Sequence, residues 1–202
     1  MVGHSLGGPY VMTFARQFGD EVAGIVFVDA SHPDQQRRLK EAIGQQAEPS
    51  MAGPKLAAAL AWMGVPRLFA GSVGHARAPA RANAAMSAYL PRSLRPMLDE
   101  QAAIDATFSD AGALRSLGER PFVVLTAAAP MQAADLAALK LTSEQGQRLQ
   151  AVWFQLHDEE TSWSSHSRQV RLSDSHHYIQ FERPDAVIDA VREVVNDVRG
   201  QS

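Results

Sequence analysis

The chain of 202 residues is 46% hydrophobic and 20% charged, a composition typical of a globular protein with one sizeable core. Its formal net charge of −3 provides no basic face for nucleic acid, so we expect a small-molecule partner and no nucleic acid. Because the chain has no cysteine, disulfides, thiolate metal sites and cysteine nucleophiles are excluded.

The sequence also bears on membranes and on the cellular compartment. No apolar run reaches the roughly 20 residues that a membrane-spanning helix needs, so no span is expected. No charged region followed by an apolar stretch opens the chain as given, so no signal peptide is predicted in it. The cytoplasm is the favoured location, and the compartment is otherwise left open.

Three short segments, rich in β-branched or aromatic residues, are predicted to be strands: residues 24–29 (GIVFVD), 121–127 (PFVVLTA) and 168–173 (RQVRLS). The first two are nearly continuous apolar runs, the pattern of parallel strands that helices cover on both faces. A helix is predicted over 6–18, and a last helix begins at Pro184 and carries one apolar face: Val187, Val191, Val194, Val195 and Val198. This alternation predicts an α/β fold with a mostly parallel sheet.

A long insertion separates the first two predicted strands. Its length far exceeds what a crossover between parallel strands needs, so we expect an inserted helical cap. Helices are predicted over 35–45, 54–63, 82–89 and 94–107, with a linker rich in Gly, Pro and Ala over 71–80. The expected organisation is a core segment 1–32, a cap 33–118 and a second core segment 119–202.

Residues 3–7 read Gly-His-Ser-Leu-Gly and match G-x-S-x-G, a turn that exposes a serine between a strand and a helix. We expect crowding around the strained turn to exclude a β-carbon at both Gly3 and Gly7. The amide of Leu6, at the start of the following helix, is placed to stabilise an oxyanion. The alternative reading is an ordinary glycine-rich turn before an amphipathic helix.

Four stretches recur in the order seen in a known family: VGHSLGG, GIVFVDASHPDQ, PFVVLTA and HHYIQFERPDAVIDAVREVV. Together they resemble the α/β-hydrolase superfamily, in particular its cap-bearing serine hydrolases. The resemblance implies an α/β-hydrolase fold, no cofactor, and a triad in the order Ser, acid, His. It therefore implies that Ser5 is a nucleophile.

The base is expected in the loop after the third predicted strand. In the family this His precedes an aromatic or aliphatic pair, so His177, directly before Tyr178, is the match, and His176 is the alternative. Adjacent imidazoles rarely reach one ion, so the pair does not predict a metal site. His4 is interpreted as a packing neighbour of the turn.

The acid has three candidates. Asp29 ends the first predicted strand, and catalytic groups collect at the carboxyl ends of parallel strands. Asp135 follows the second predicted strand at a distance, and Asp34 lies in the loop after Asp29. We prefer Asp29 and leave the other two open.

The resemblance places roughly half of the family's core before the serine turn. We therefore expect this chain to be the C-terminal portion of such a hydrolase, with an open sheet edge at Val2 that can support oligomers. The expected function is cleavage of an apolar acyl or aryl ester. The alternative is a silent fragment that binds a partner or needs a complementing N-terminal half. Lyase, acyltransferase and haloperoxidase chemistry also stay open.

Overall fold

The structure is a computed structural model that describes residues 1–44, 51–72 and 74–200. Four strands lie in one sheet: β1 (Val2–His4), β2 (Ile25–Val28), β3 (Phe122–Ala127) and β4 (Ser167–Leu172). The helices are α1 (Gly7–Gln17), α2 (Gln35–Ile43), α3 (Ala52–Ala59), α4 (Ala80–Ala102), α5 (Ile104–Gly112), α6 (Ala133–Ala138), α7 (Ser143–Thr161), α8 (Ile179–Glu182) and α9 (Pro184–Gly200). Short 3₁₀ helices cover Gly19–Glu21, Ala61–Met63 and Val65–Ser72.

The sheet is parallel throughout, with strand order β1-β2-β3-β4. In its register Val2 lies opposite Val26, and Val26 lies opposite Val123. Every residue of β2 is buried, as its continuous apolar sequence predicts. The α/β prediction is confirmed, and β1 lies at one edge of the described sheet.

Helices cover the sheet on both faces, and each face has its own apolar cluster. One cluster joins α1 to the sheet and to the segment after α5: Val11, Met12, Ala15, Val22, Ile25, Phe27, Ala30, Ala111, Leu117, Phe122, Val124 and Trp163. The other cluster joins α9 to the sheet: Val26, Val28, Val123, Leu125, Leu172, Ile179, Ala190 and Val194. The two faces of β2 and β3 are therefore both buried.

The last helix, α9, begins at Pro184 as predicted and packs closely on the start of β2. A β-carbon at Gly24 would lie 2.5 Å from a methyl group of Val194, so this contact requires glycine. Val187 and Val191 also pack against the cluster, but Val195 is 38% exposed. Placing Val195 on the buried face was wrong, because it lies one residue beyond the stripe that Val187, Val191 and Val194 form at helical spacing.

The chain divides into two compact units, Met1–Gln46 with Thr107–Ser202, and Ala47–Ala106. The smaller unit lies within the predicted cap 33–118, whereas residues 33–46 and 107–118 belong to the larger unit. The larger unit contains the sheet, α2 and α7. It therefore contains every residue that the sequence places in the candidate site.

The smaller unit differs from the prediction in its helix boundaries. The separate helices predicted over 82–89 and 94–107 are wrong, because α4 continues through Pro91 and Pro96 and a new helix begins at Ile104. Each proline removes one backbone hydrogen bond, but its fixed φ is compatible with a helix. The helix predicted over 54–63 begins at Ala52 and ends as a 3₁₀ turn.

Two further predicted segments include residues that the structure does not describe. The helix predicted over 35–45 is α2, but its predicted end at residue 45 lies outside the described residues. Residue 73 of the predicted linker also lies outside them. Among the described helices, none combines the length and apolar character needed to cross a bilayer.

Candidate active site

Segments that follow three strands, β1, β2 and β4, supply the predicted site residues at the sheet's carboxyl edge. Ser5 directly follows β1, Asp29 directly follows β2, and His177 lies in the loop between β4 and α8. Parallel strands present their carboxyl ends at one edge, where active sites of open α/β sheets form. The fold thus gathers residues that are far apart in the sequence.

Ser5 lies in a strained turn with a left-handed backbone, φ 52°. A β-carbon at Gly3 would lie 2.8 Å from the carbonyl oxygen of Gly7, so Gly3 is crowded as predicted. A β-carbon at Gly7 would have nothing within 4 Å, so the predicted crowding there was wrong. The close contact falls instead on Gly8, whose β-carbon would lie 2.7 Å from that of Ala30.

Backbone hydrogen bonds hold the turn in place. The carbonyl oxygen of Ser5 accepts from the amides of Ser31 at 2.8 Å and Gly8 at 3.0 Å. Within the described part of the chain, the Ser5 hydroxyl has no hydrogen-bond partner. Leu6 precedes α1, and its amide is at the positive end of the helix dipole. An oxygen anion bound beside Ser5 would therefore meet a favourable field.

Asp29 and His177 are in direct contact. Nδ1 of His177 lies 2.7 Å from Oδ2 of Asp29, although 148 positions separate them. Asp29 is only 3% exposed and has a left-handed backbone, φ 44°. Its other oxygen, Oδ1, accepts from the amide of Ala127 and from the indole nitrogen of Trp153, each at 3.0 Å.

The surroundings of Asp29 favour its charged form. Burial opposes ionisation, but the hydrogen bonds from His177 and Trp153 and the nearby imidazole of His157 more than offset it, so the pKa of Asp29 lies below its usual value. Asp29 is therefore a carboxylate at neutral pH. A carboxylate in this position accepts the Nδ1 proton of His177.

The two rival acids have other structural roles. Asp135 accepts from the amide of Gln132 at 3.1 Å and completes the N-terminal cap of α6. Asp34 pairs with Arg115 at 3.1 Å. The contacts described for these two carboxylates do not include His177, so the structure brings Asp29 alone of the three candidates to that imidazole.

The neighbouring histidines are also engaged elsewhere. The amide of His176 donates to a carboxylate oxygen of Glu182 at 2.8 Å, and its ring nitrogen Nδ1 lies 3.3 Å from the same oxygen. The ring of His4 packs against that of His177 at 4.7 Å between centroids. Burial lowers the pKa of His4, so its ring is neutral near pH 7.

One cluster of metal-ligating types lies near the site. Ring or carboxylate atoms of His32, Asp34 and Glu159 lie within 4.8 Å of one another. The guanidinium of Arg115 lies 3.2 Å from a nitrogen of His32 and 3.1 Å from Asp34. Arg38 forms an ion pair with Glu159. Two guanidinium groups therefore already supply positive charge here, and these residues do not fit a metal ion.

Trp153 was not predicted to belong to the site. This residue lies in the middle of α7, 124 positions from Asp29, and no local motif distinguishes it from Trp62 and Trp163. Its contact arises only when α7 packs beside the carboxyl ends of β2 and β3. A signal for it is therefore absent from the local sequence.

Comparisons with known proteins bear on the family and the fold of this chain. A family described as the alpha/beta hydrolase family matches residues 1–190. A solved structure titled "probable hydrolytic enzyme", from Pseudomonas aeruginosa PAO1, is similar with a TM-score of 0.55 and 17% identity. The alignment covers 96% of this chain and 62% of that one, and at this identity it shows the fold alone. No curated protein matches the sequence. Because the family match covers nearly the whole chain, the protein belongs to the alpha/beta hydrolase family.

Proposed function

We propose that this protein is a serine hydrolase that cleaves an ester or related acyl bond of a small molecule. In this proposal Ser5 is the nucleophile, His177 the general base and Asp29 the acid that orients the base. The observation that carries the proposal is the 2.7 Å contact between His177 Nδ1 and Asp29 Oδ2. It leaves the second ring nitrogen available to take a proton.

The reaction would proceed through an acyl-enzyme. As Oγ of Ser5 attacks the carbonyl carbon of the ester, its proton moves to Nε2 of His177. The carbonyl oxygen becomes an anion, which the amide of Leu6 stabilises. His177 then donates the proton to the departing alcohol. In the second half of the reaction, water attacks the acyl group while His177 takes a proton from it. His177 then returns the proton to Ser5, and the carboxylic acid product leaves. Throughout, Asp29 stabilises the imidazolium.

The left-handed backbone of two proposed residues supports this assignment independently. Ser5 and Asp29 both adopt positive φ, although neither is glycine. Such conformations cost on the order of 1–3 kcal/mol and concentrate at functional sites. A strained serine and a strained acid at neighbouring strand ends favour a reactive site over an ordinary glycine-rich turn.

The proposed substrate is a small molecule with an apolar acyl or aryl group. Residues 51–72 of the smaller unit are rich in Ala and Leu, include two Met residues and Trp62, and contain no acid, a composition suited to apolar ligands. Nitrophenyl esters of graded acyl length would test this choice. A preference for the shortest acetyl ester would contradict it.

A fluorophosphonate probe tests the nucleophile, because such reagents phosphonylate activated serines. We expect the unaltered protein to be labelled and Ser5→Ala to lose the label. Ser93→Ala is the control, because the Ser93 hydroxyl donates to the carbonyl oxygen of Tyr89 within one helix. Labelling retained in Ser5→Ala, or lost in Ser93→Ala, would overturn the assignment.

A second candidate function is binding of a partner chain through β1. Val2 is 52% exposed and lies in the edge strand of the described sheet, where backbone groups can pair with another strand. A charged residue on such an edge blocks pairing. If this candidate holds, Val2→Lys will convert oligomers to monomers in size-exclusion chromatography while leaving fluorophosphonate labelling unchanged.

A further inference from the structure

The carboxylate of Asp29 is fixed through one of its two oxygens. Oδ1 accepts two hydrogen bonds of 3.0 Å, from the amide of Ala127 and from the indole of Trp153, and Oδ2 is the atom that meets His177. A single donor would leave the carboxylate free to rotate about that contact. Two donors from different elements, β3 and α7, fix its plane.

Trp153 is itself held firmly. Its ring packs against that of His157, one helical turn along α7, with 4.8 Å between centroids. Nε2 of His157 lies 3.0 Å from the carbonyl oxygen of Ala30, which can only accept, so Nε2 carries the proton. Nδ1 then accepts from the hydroxyl of Thr126 at 2.8 Å.

These bonds tie α7 to the end of β3 and to the segment after β2, which together surround the acid. Ala30 directly follows Asp29, and Thr126 directly precedes Ala127, the other donor to Asp29. His157 is fully buried, and burial lowers its pKa, so the neutral imidazole that this pattern needs is the stable form. The helix is thereby held where its indole reaches Asp29.

We propose that Trp153 is a positioning residue of this site, donating its indole N–H to Oδ1 of Asp29 so that Oδ2 faces His177. The inference rests on the proposed function, in which Asp29 orients the base. The hydrogen bond from Trp153 is also among the causes that keep the pKa of Asp29 low. Loss of this hydrogen bond would leave the carboxylate of Asp29 less well oriented towards His177 and less strongly favoured in its charged form.

Two substitutions separate the N–H from the bulk of the indole. Trp153→Phe keeps an aromatic ring and removes the donor. Trp153→His loses the second ring but keeps an N–H, since Nε2 of histidine corresponds to Nε1 of tryptophan in the five-membered ring. Phe154→Leu is the control on the same helix, because Phe154 stacks on Arg171 and has no described contact with Asp29.

The readouts are the rate of fluorophosphonate labelling, its pH profile, and a carbon-13 NMR titration of Asp29. We expect Trp153→Phe to slow labelling about tenfold to a hundredfold, the usual range for a hydrogen bond to a charged group. We also expect the acid limb of its profile to move to higher pH and the carboxyl of Asp29 to titrate higher. Trp153→His should label faster than Trp153→Phe, and Phe154→Leu should label like the unaltered protein.

A purely structural role would give the opposite order. If Trp153→Phe labels faster than Trp153→His, with no change in the titration of Asp29, the indole serves only as packing and the inference is overturned. The titration needs no activity, so it decides the inference even in an inactive preparation. If Ser5→Ala is still labelled, the proposed function is overturned instead. The titration still shows whether Trp153 controls the carboxyl of Asp29.

A double substitution gives a second test. In an Asp29→Gly background no side-chain oxygen remains to accept the indole N–H, and glycine suits the left-handed backbone, so Trp153→Phe should slow labelling no further. Fully additive losses would show that Trp153 acts independently of Asp29 and would overturn the inference.

Discussion

Nε2 of His4 lies 2.9 Å from the carbonyl oxygen of His177, which joins the residue before the proposed nucleophile to the proposed base. The carbonyl oxygen can only accept, so Nε2 of His4 carries a proton. The backbone of His177 is thus held by His4 and its side chain by Asp29. The interpretation of His4 as a packing neighbour agrees with this contact, since its ring also lies 5.5 Å from that of Tyr178.

His177→Ala should reduce ester hydrolysis by about 10⁴- to 10⁶-fold, because the serine then lacks its base. His176→Ala should retain most of the activity, since His176 is paired with Glu182. Steady-state hydrolysis of a nitrophenyl ester by the two variants measures the difference. If His176→Ala were the more damaging change, the roles of the two residues would have to be exchanged.

Asp29→Asn should lower turnover by about 10³- to 10⁴-fold with the fold intact. An asparagine tolerates the left-handed backbone at this position, but its neutral amide cannot stabilise an imidazolium. The matched controls are Asp135→Asn and Asp34→Asn, which should keep most of the turnover. Circular dichroism checks the fold. A large loss in either control, with Asp29→Asn active, would assign the acid elsewhere.

Gly3→Ala and Gly7→Ala should behave in opposite ways. The added methyl group at position 3 meets backbone at 2.8 Å, so the turn must shift and labelling should be lost. At position 7 it meets open space at the first residue of α1, where alanine stabilises a helix by up to about 1 kcal/mol over glycine. Urea unfolding measures the stability of each variant. Equal destabilisation would contradict the different crowding at the two positions.

The free energy of unfolding should fall as the pH drops from about 6.5 towards 3, and His32 is one cause. Burial and the nearby charge of Arg115 lower the pKa of His32 to about 3. The folded imidazole therefore stays neutral in this window, while the unfolded chain takes up a proton. The contribution of His32 to the free energy of unfolding is fully present above the pKa of histidine in the unfolded chain. Below that pKa, the contribution is lost at up to about 1.4 kcal/mol per pH unit.

Urea unfolding at pH 6 and pH 4 measures this loss. In His32→Gln the difference between the two values should be smaller, because one proton fewer is taken up on unfolding. Ser93→Ala, which removes no titratable group, is the control and should keep the original difference. An unchanged difference in His32→Gln would show that His32 is protonated in the folded protein.

Parts of the fold were predictable because burial leaves a direct trace in the sequence. The strands β2 and β3 are buried on both faces, so each is a continuous apolar run. No helix was predicted over α7, because this helix buries polar residues such as His157 and Glu160 and shows no clear apolar stripe.

In the candidate site too, some features are predictable from the local sequence and others depend on the fold. Ser5, Asp29 and His177 each stand at a strand end or next to a recognisable local pattern, so the sequence singles them out. The choice of Asp29 over Asp135 depends on a distance that only the fold supplies. Trp153 and the unoccupied space beside Gly7 depend wholly on packing.

The left-handed backbone of Ser5 and Asp29 limits how far this protein can be stabilised without loss of chemistry. Glycine at either position would relieve roughly 1–2 kcal/mol of conformational strain and would also remove a side chain of the proposed triad. Lys140 has the same left-handed conformation, φ 54°, outside the candidate site. Lys140→Gly is therefore expected to raise the free energy of unfolding and to leave the proposed triad in place. The same change at Ser5 would also relieve strain but would remove the proposed nucleophile.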